Sequence, residues 1–191
     1  LLTSALKQPT SEKLTAGLVK PLHAVKDRQM GEVFIAYNTA LSHILFEEFE
    51  SAERVMRKID WERKIPMYQA AVSLNIRAFI HYYHTGDCHE GLSLMRKAKA
   101  LATVSGSFPG SKQAEMTYEA YIAIGQLLTG FRNDEVVAAL EKKFDQLPIL
   151  PKLFIASGLR SEYKRSGQVD KLLEKEAFLR SNAPYCKLLL K

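Results

Sequence analysis

Cysteine is almost missing from this chain. Two occur in 191 residues, Cys88 and Cys186, far apart and in no motif. Two isolated cysteines build neither a disulfide framework nor a zinc site, so they read as free thiols of a reducing compartment. Long apolar runs are missing as well. The longest stretch without Asp, Glu, Lys or Arg is Val33–Phe46, 14 residues interrupted by Asn38, Ser42 and His43, whereas a membrane-crossing helix needs about 20. Strand signals are scarce: no sustained apolar–polar alternation and no Asn-Gly or Asp-Gly hairpin turn. There is also no glycine-rich phosphate loop, no nucleophile elbow, no Cys-x-x-Cys and no His-Glu-x-x-His. These gaps leave no enzyme class with a motif to stand on, and the chain is expected not to be an enzyme and to carry no cofactor.

Charge is present but uneven. The net charge is +6. Pro151 to Lys191 holds nine Lys or Arg against four acids, so most of the excess lies in the last fifth of the chain. That segment could attract an acidic partner, an anionic lipid or nucleic acid, or it could be a solvated helix face. The start is Leu1-Leu2 rather than Met, with Lys7, Lys13, Lys20 and Lys26 following. We therefore expect a piece of something longer, and a membrane could be reached only through a segment upstream of residue 1.

What the chain has in plenty is helical periodicity, punctuated by proline and glycine. Met67 to His84 carries Val72, Ile76, Phe79, Ile80 and Tyr83 on one side of a helix. Gly86 then suits a left-handed helix end, and Asp87 with Glu90 reads as a capping box opening the next helix. Leu92, Met95, Ala98, Leu101 and Ala102 give that helix its buried stripe. The same order recurs. A helix over 33–46 turns at Glu47-Glu48-Phe49 into 50–59, whose apolar residues include Ile59. One over 113–129 turns at 130–132 into 133–146, and one over 152–166 turns at Gly167 into 169–180. A lone helical hairpin cannot bury its own apolar faces, but stacked hairpins can.

These turns carry a resemblance. Gly86-Asp87-Cys88-His89-Glu90-Gly91 resembles the turn of a tetratricopeptide repeat, with Gly91 as its small residue. Glu47-Glu48-Phe49-Glu50-Ser51-Ala52 is similar but lacks the glycine, and Gly130 and Gly167 open two further units. The four turn positions 47, 86, 130 and 167 are spaced more widely than the family repeat of about 34 residues; the excess sits in linkers 60–66 and 104–110. The resemblance implies an all-α fold of about four antiparallel hairpins stacked as a short right-handed alpha-solenoid over 33–184. Residues 1–32 would be a partly helical lid or linker, with Leu14, Leu18, Leu22 and Val25 at helical spacing, and 185–191 a tail.

The resemblance also implies a function: a protein-interaction scaffold whose concave groove holds a peptide or partner helix, or a second copy. Carried across, the groove takes Phe34, Tyr37, Leu41 and Ile44 from the first unit and Ser73, Ile76, Ile80, Tyr83 and His84 from the second. Thr117, Ala120, Ile124 and Leu127 follow from the third, and Phe154, Ser157, Ser161, Lys164 and Arg165 from the fourth. The family's two-carboxylate clamp is not expected, because Tyr37 and Leu41 stand where its Lys and Asn would be. The alternative use of these residues is core packing. The alternative function is nucleic-acid or anionic-surface binding through Lys152, Arg160, Lys164, Arg165, Lys171 and Lys175. His81, His84, Cys88 and His89 are metal-ligand types but straddle a turn, so no metal is expected. A cytoplasmic protein, or one on the cytosolic face of a membrane, fits these readings.

Overall fold

The computed structural model describes residues 2–24, 28–58, 67–104, 111–130 and 134–191. Every regular element among them is a helix. They are α1 (Leu2–Ala5), α2 (Ser11–Val19), α3 (Arg28–Leu45), α4 (Phe49–Arg57), α5 (Met67–Ile80), α6 (Cys88–Val104), α7 (Ser111–Leu128), α8 (Asp134–Phe144), α9 (Ile149–Ser166), α10 (Val169–Asn182) and α11 (Lys187–Leu190). A 3-10 turn, Lys20–Ala24, follows α2, and a π-helical turn, His81–Thr85, extends α5. None of these helices is long and apolar enough to cross a membrane. Val25, Ile59, the linkers 60–66 and 105–110, and residues 131–133 lie outside the described residues.

The turns form for the reason the sequence suggests. Glu47, Gly86, Gly130 and Gly167 all have positive φ, at 64°, 75°, 78° and 71°. A left-handed residue lets the chain leave one helix and reverse. Glu47 does so with a Cβ, at a conformational cost of about 1 kcal/mol. Asp87 accepts from the Glu90 amide at 3.0 Å. The other half of the expected capping box is replaced, since the Asp87 amide donates to Thr85 Oγ1 at 3.2 Å. At α9 the helix starts three residues earlier than expected, at Ile149, because Pro151 fits a first turn, where its missing N–H has no intrahelical acceptor anyway.

Sequential helices pack together: α3 with α4, α5 with α6, α6 with α7, and α9 with α10. The helices that open each pair also meet, α3 with α5 and α7 with α9. Gly91 shows why a small residue is needed after the Gly86 turn. The ring of Tyr82 lies against it, and the same ring runs on to Gly125 of α7. A Cβ at either glycine would overlap the Tyr82 side chain, so these two glycines let α5, α6 and α7 close on one another. Farther along, Glu119 of α7 joins Lys99 of α6 at 2.8 Å and also pairs with Lys143 of α8. Both lysines hold the Glu119 carboxyl below its ordinary range, Lys143 most.

Both ends of the chain belong to the same core. Leu6, Ser11 and Leu14 are fully buried, and α2 packs on α3. Cys186, Leu188 and Leu189 are buried, and α11 touches α3, α9 and α10. Lys191 pairs with Glu47 at the α3–α4 turn. Residues 1–32 and 185–191, set apart in the sequence reading, thus supply side chains to one continuous apolar cluster.

Two substitutions test this packing. Gly125→Ala improves helix propensity by about 1 kcal/mol but drives a methyl into Tyr82, and overpacking costs about 1–3 kcal/mol. A net loss, lowering the melting temperature on the order of 5 °C, is expected by circular dichroism. Tyr82→Phe removes a buried hydroxyl that has no hydrogen-bond partner; its melt is expected to be unchanged or higher.

Candidate partner-binding surface

The expected groove is where the opening helices of the pairs converge, and aromatic side chains occupy it. Phe79 of α5 stacks face to face on Phe154 of α9, with centroids 4.6 Å apart and planes 9° from parallel. Tyr121 of α7 meets both rings edge-on, at 4.9 Å and 5.7 Å. All three rings are buried. Edge-to-face and offset pairs of this kind add about 0.5–1.5 kcal/mol each beyond the area they bury. Tyr83, on the π turn, lies beside Phe79 and Phe154, each at 6.2 Å. Tyr37 of α3 is half-buried and packs against the same apolar cluster.

The site residues read from sequence separate into three groups here. Leu41 and Ile76 are 0% exposed and Ile80 is 7% exposed. Their side chains pack the core, the alternative use that the sequence left open, and are not presented to solvent. Phe34, Tyr37 and Tyr83 are half-buried. Tyr37 and Tyr83 rest on the apolar cluster. His84 is exposed and stacks on Phe49 of α4, at 4.7 Å and 19°, so it ties two hairpin turns together. Lys164 and Arg165 stand on the last turn of α9, roughly 15 Å along the helix from Phe154. Arg165 pairs with Glu162.

Sequence reasoning missed Tyr118 and Tyr121. It assigned the Thr117, Ala120, Ile124 and Leu127 stripe of α7 to the groove, but Ala120 and Ile124 are buried and the tyrosines one position on face the junction. Helical spacing reports that a stripe is buried, not which neighbour covers it.

The tyrosines are held neutral. Burial pushes the Tyr37 phenol up to about 12. It also pushes Tyr83, Tyr118 and Tyr121 well above the ordinary phenol range. Among the described residues the tyrosine hydroxyl with a hydrogen-bond acceptor is Tyr163, which donates to Glu141 at 2.5 Å.

Other polar clusters serve the fold. Glu48 accepts from Ser11 Oγ at 2.7 Å and lies 2.6 Å from His43 Nδ1. The serine donates to the carboxylate rather than to the imidazole. Among the described residues no group of three or more His, Cys, Asp or Glu is placed to hold a metal ion. Of the six basic residues considered for nucleic acid, Lys171 pairs with Glu141 at 2.7 Å and Lys175 with Glu174 at 2.7 Å. Arg165 pairs with Glu162, and Lys152 reaches Asp145 at 3.9 Å while lying over the Phe144 ring. Compared with known proteins, the chain matches no family model, no curated protein and no solved structure.

The neutral tyrosines give a signed pH prediction. Their folded pKa lies above the unfolded value of about 10. Their contribution to stability is complete below pH 10 and declines as pH rises from there toward 12 and above, because only the unfolded chain ionises readily. In a spectrophotometric titration, phenolate absorbance from these residues should appear together with loss of helicity, not before it.

Proposed function

We propose that this chain is a protein-interaction scaffold, built from tetratricopeptide-like hairpins, that holds a peptide or a partner helix against Tyr37 and Tyr83. One observation carries the reading. Half-buried Tyr83 lies beside buried Phe79 and Phe154, on which Tyr121 stands edge-on, and a second half-buried tyrosine, Tyr37 of α3, packs on the same apolar cluster. Tyrosine is favoured at interfaces because it brings a large rigid apolar ring and a hydroxyl at small entropic cost. That packing locks the rings in place, so little ordering remains for binding. Phenols without a protein acceptor are suited to peptide carbonyls, and no charged pair has to be desolvated first. The opening helices of the hairpins contribute the surface, as the resemblance implies. The free thiols Cys88 and Cys186 suit a reducing, cytoplasmic setting.

The experiment is a peptide-array screen with the purified chain, followed by titration of the best binders. Tyr37→Ala and Tyr83→Ala should each weaken binding at least about tenfold, a loss of about 1.4 kcal/mol, consistent with a hot-spot aromatic. Melting curves of both variants check that the helices remain. Affinities untouched by both changes would exclude this surface.

A further inference from the structure

The first two helices enclose a cleft of about 410 Å³. Gly17 of α2 faces Ala5 of α1, and a Cβ on Gly17 would come within 2.8 Å of the Ala5 Cβ. The glycine lets α1 lie directly on α2, and both residues line the cleft beside Pro21. Ser4 and Gln8 line it from the α1 side, Lys13 and Lys20 from the α2 side. Lys13, Gly17 and Lys20 stand at i, i+4 and i+7, on one stripe of the helix. The two lysines are about 10 Å apart along the axis, within reach of a common group on their four-carbon stems. A volume between about 300 and 1,000 Å³ suits a small organic molecule.

The charge of the cleft has one sign. Among the described residues no carboxylate lines it. Glu12 adjoins Lys13 in the chain but is not in the lining, and its carboxyl is held below the ordinary range by its own backbone amide first and then by Thr10. Neither Lys13 nor Lys20 has an ion pair among the described residues, whereas Lys99, Lys143, Lys171, Lys175 and Lys191 all do. One exposed lysine without a partner is ordinary. Two that line a single cleft, with a hydroxyl, an amide and no acid, define a place for negative charge.

We propose that the α1–α2 cleft binds a phosphate monoester that carries a short apolar body. Charge matching selects the monoester, because it holds close to two negative charges at neutral pH and meets two ammoniums. A carboxylate or a phosphodiester would leave one ammonium unmatched. Lysine presents a point charge with three donors rather than a planar fork, so the pair reads charge and not carboxylate geometry. Ser4 and Gln8 supply neutral hydrogen-bonding groups. Ala5, Gly17, Pro21 and the lysine stems accept the apolar body. A nucleic acid would offer one charge per phosphate, and the cleft has no ring on which a base could stack. The monoester comes either as a free molecule or as the headgroup of a lipid. The cleft shares no residue with the tyrosine surface, so either proposal can fail alone.

Hexyl phosphate is the soluble probe, with inorganic phosphate and hexyl sulfate, a monoanion, as controls. Isothermal titration calorimetry should show hexyl phosphate binding at least about tenfold more tightly than either control. Lys13→Gln and Lys20→Gln alter exposed side chains, so the melt should hold while each weakens binding about tenfold. Lys13→Arg, which keeps the charge, and Lys58→Gln, which removes one elsewhere, should bind like the unaltered chain. The lipid source is tested with phosphatidylcholine vesicles containing either phosphatidic acid, a monoester, or phosphatidylglycerol, a diester. Flotation with phosphatidic acid alone, lost in Lys13→Gln, would support the proposal with a lipid as the source. Equal flotation with both lipids would show general attraction to negative surfaces and overturn it. So would equal affinity for either soluble control, indifference to Lys13→Gln and Lys20→Gln, an equal loss in Lys58→Gln, or binding of neither hexyl phosphate nor phosphatidic acid.

Discussion

Phe79 and Phe154 lie on α5 and α9, with the α7–α8 pair between them in the chain, and their rings stack at 4.6 Å. An open array of hairpins binds each unit to its immediate neighbours alone. This stack spans a unit, and it draws α5, α7 and α9 together around Tyr121. The consequences follow in order. Tyr83 lies beside the stacked pair and is half-buried there. The hydroxyls of Tyr83 and Tyr37 enter surroundings where ionisation is disfavoured. The C-terminal turn can then reach from α9 to α3, and Lys191 meets Glu47. An aliphatic pair at 79 and 154 would lack both the reach and the flat surface on which Tyr121 stands edge-on.

Local features of this arrangement were legible in the sequence, and distant ones were not. The reversals at 47, 86, 130 and 167 were read from glycine, capping residues and periodicity, all of which act within a few residues of the turn. Each of the four adopts the left-handed conformation, including Glu47, which lacks the glycine signal and was placed by phase with the others. The π turn at His81–Thr85 gave no signal, because its cause is tertiary: it orients Tyr82 toward Gly91 and Gly125 and Tyr83 toward Phe154. Tyr118 and Tyr121 escaped for a related reason. Choosing between adjacent stripes of α7 requires knowing that α5 and α9 both press on it. Leu41, Ile76 and Ile80 were named for the groove because apolar periodicity does not distinguish a lined cleft from a filled one.

Charge divides the molecule along a different line from apolar packing. In the body, ion pairs join helices that already touch. Glu119 gathers lysines from α6 and α8, and Glu141 gathers Lys171 together with the Tyr163 hydroxyl. Such half-exposed pairs contribute little individually, about 0–1 kcal/mol, but they fix which helix faces which. The C-terminal basic excess is largely consumed this way, so net charge over that segment overstates what is available to a partner. Among the described residues, the cations of that segment left without an ion pair are Arg160, Lys164, Arg180 and Lys187.

Aromatic packing and charge therefore act at different range. At the tyrosine junction the apolar requirement is met internally by Phe79, Tyr121 and Phe154, whose rings touch across three helices of different hairpins. Those contacts join units that the local signals of turn and cap leave separate, whereas the ion pairs join helices already in contact.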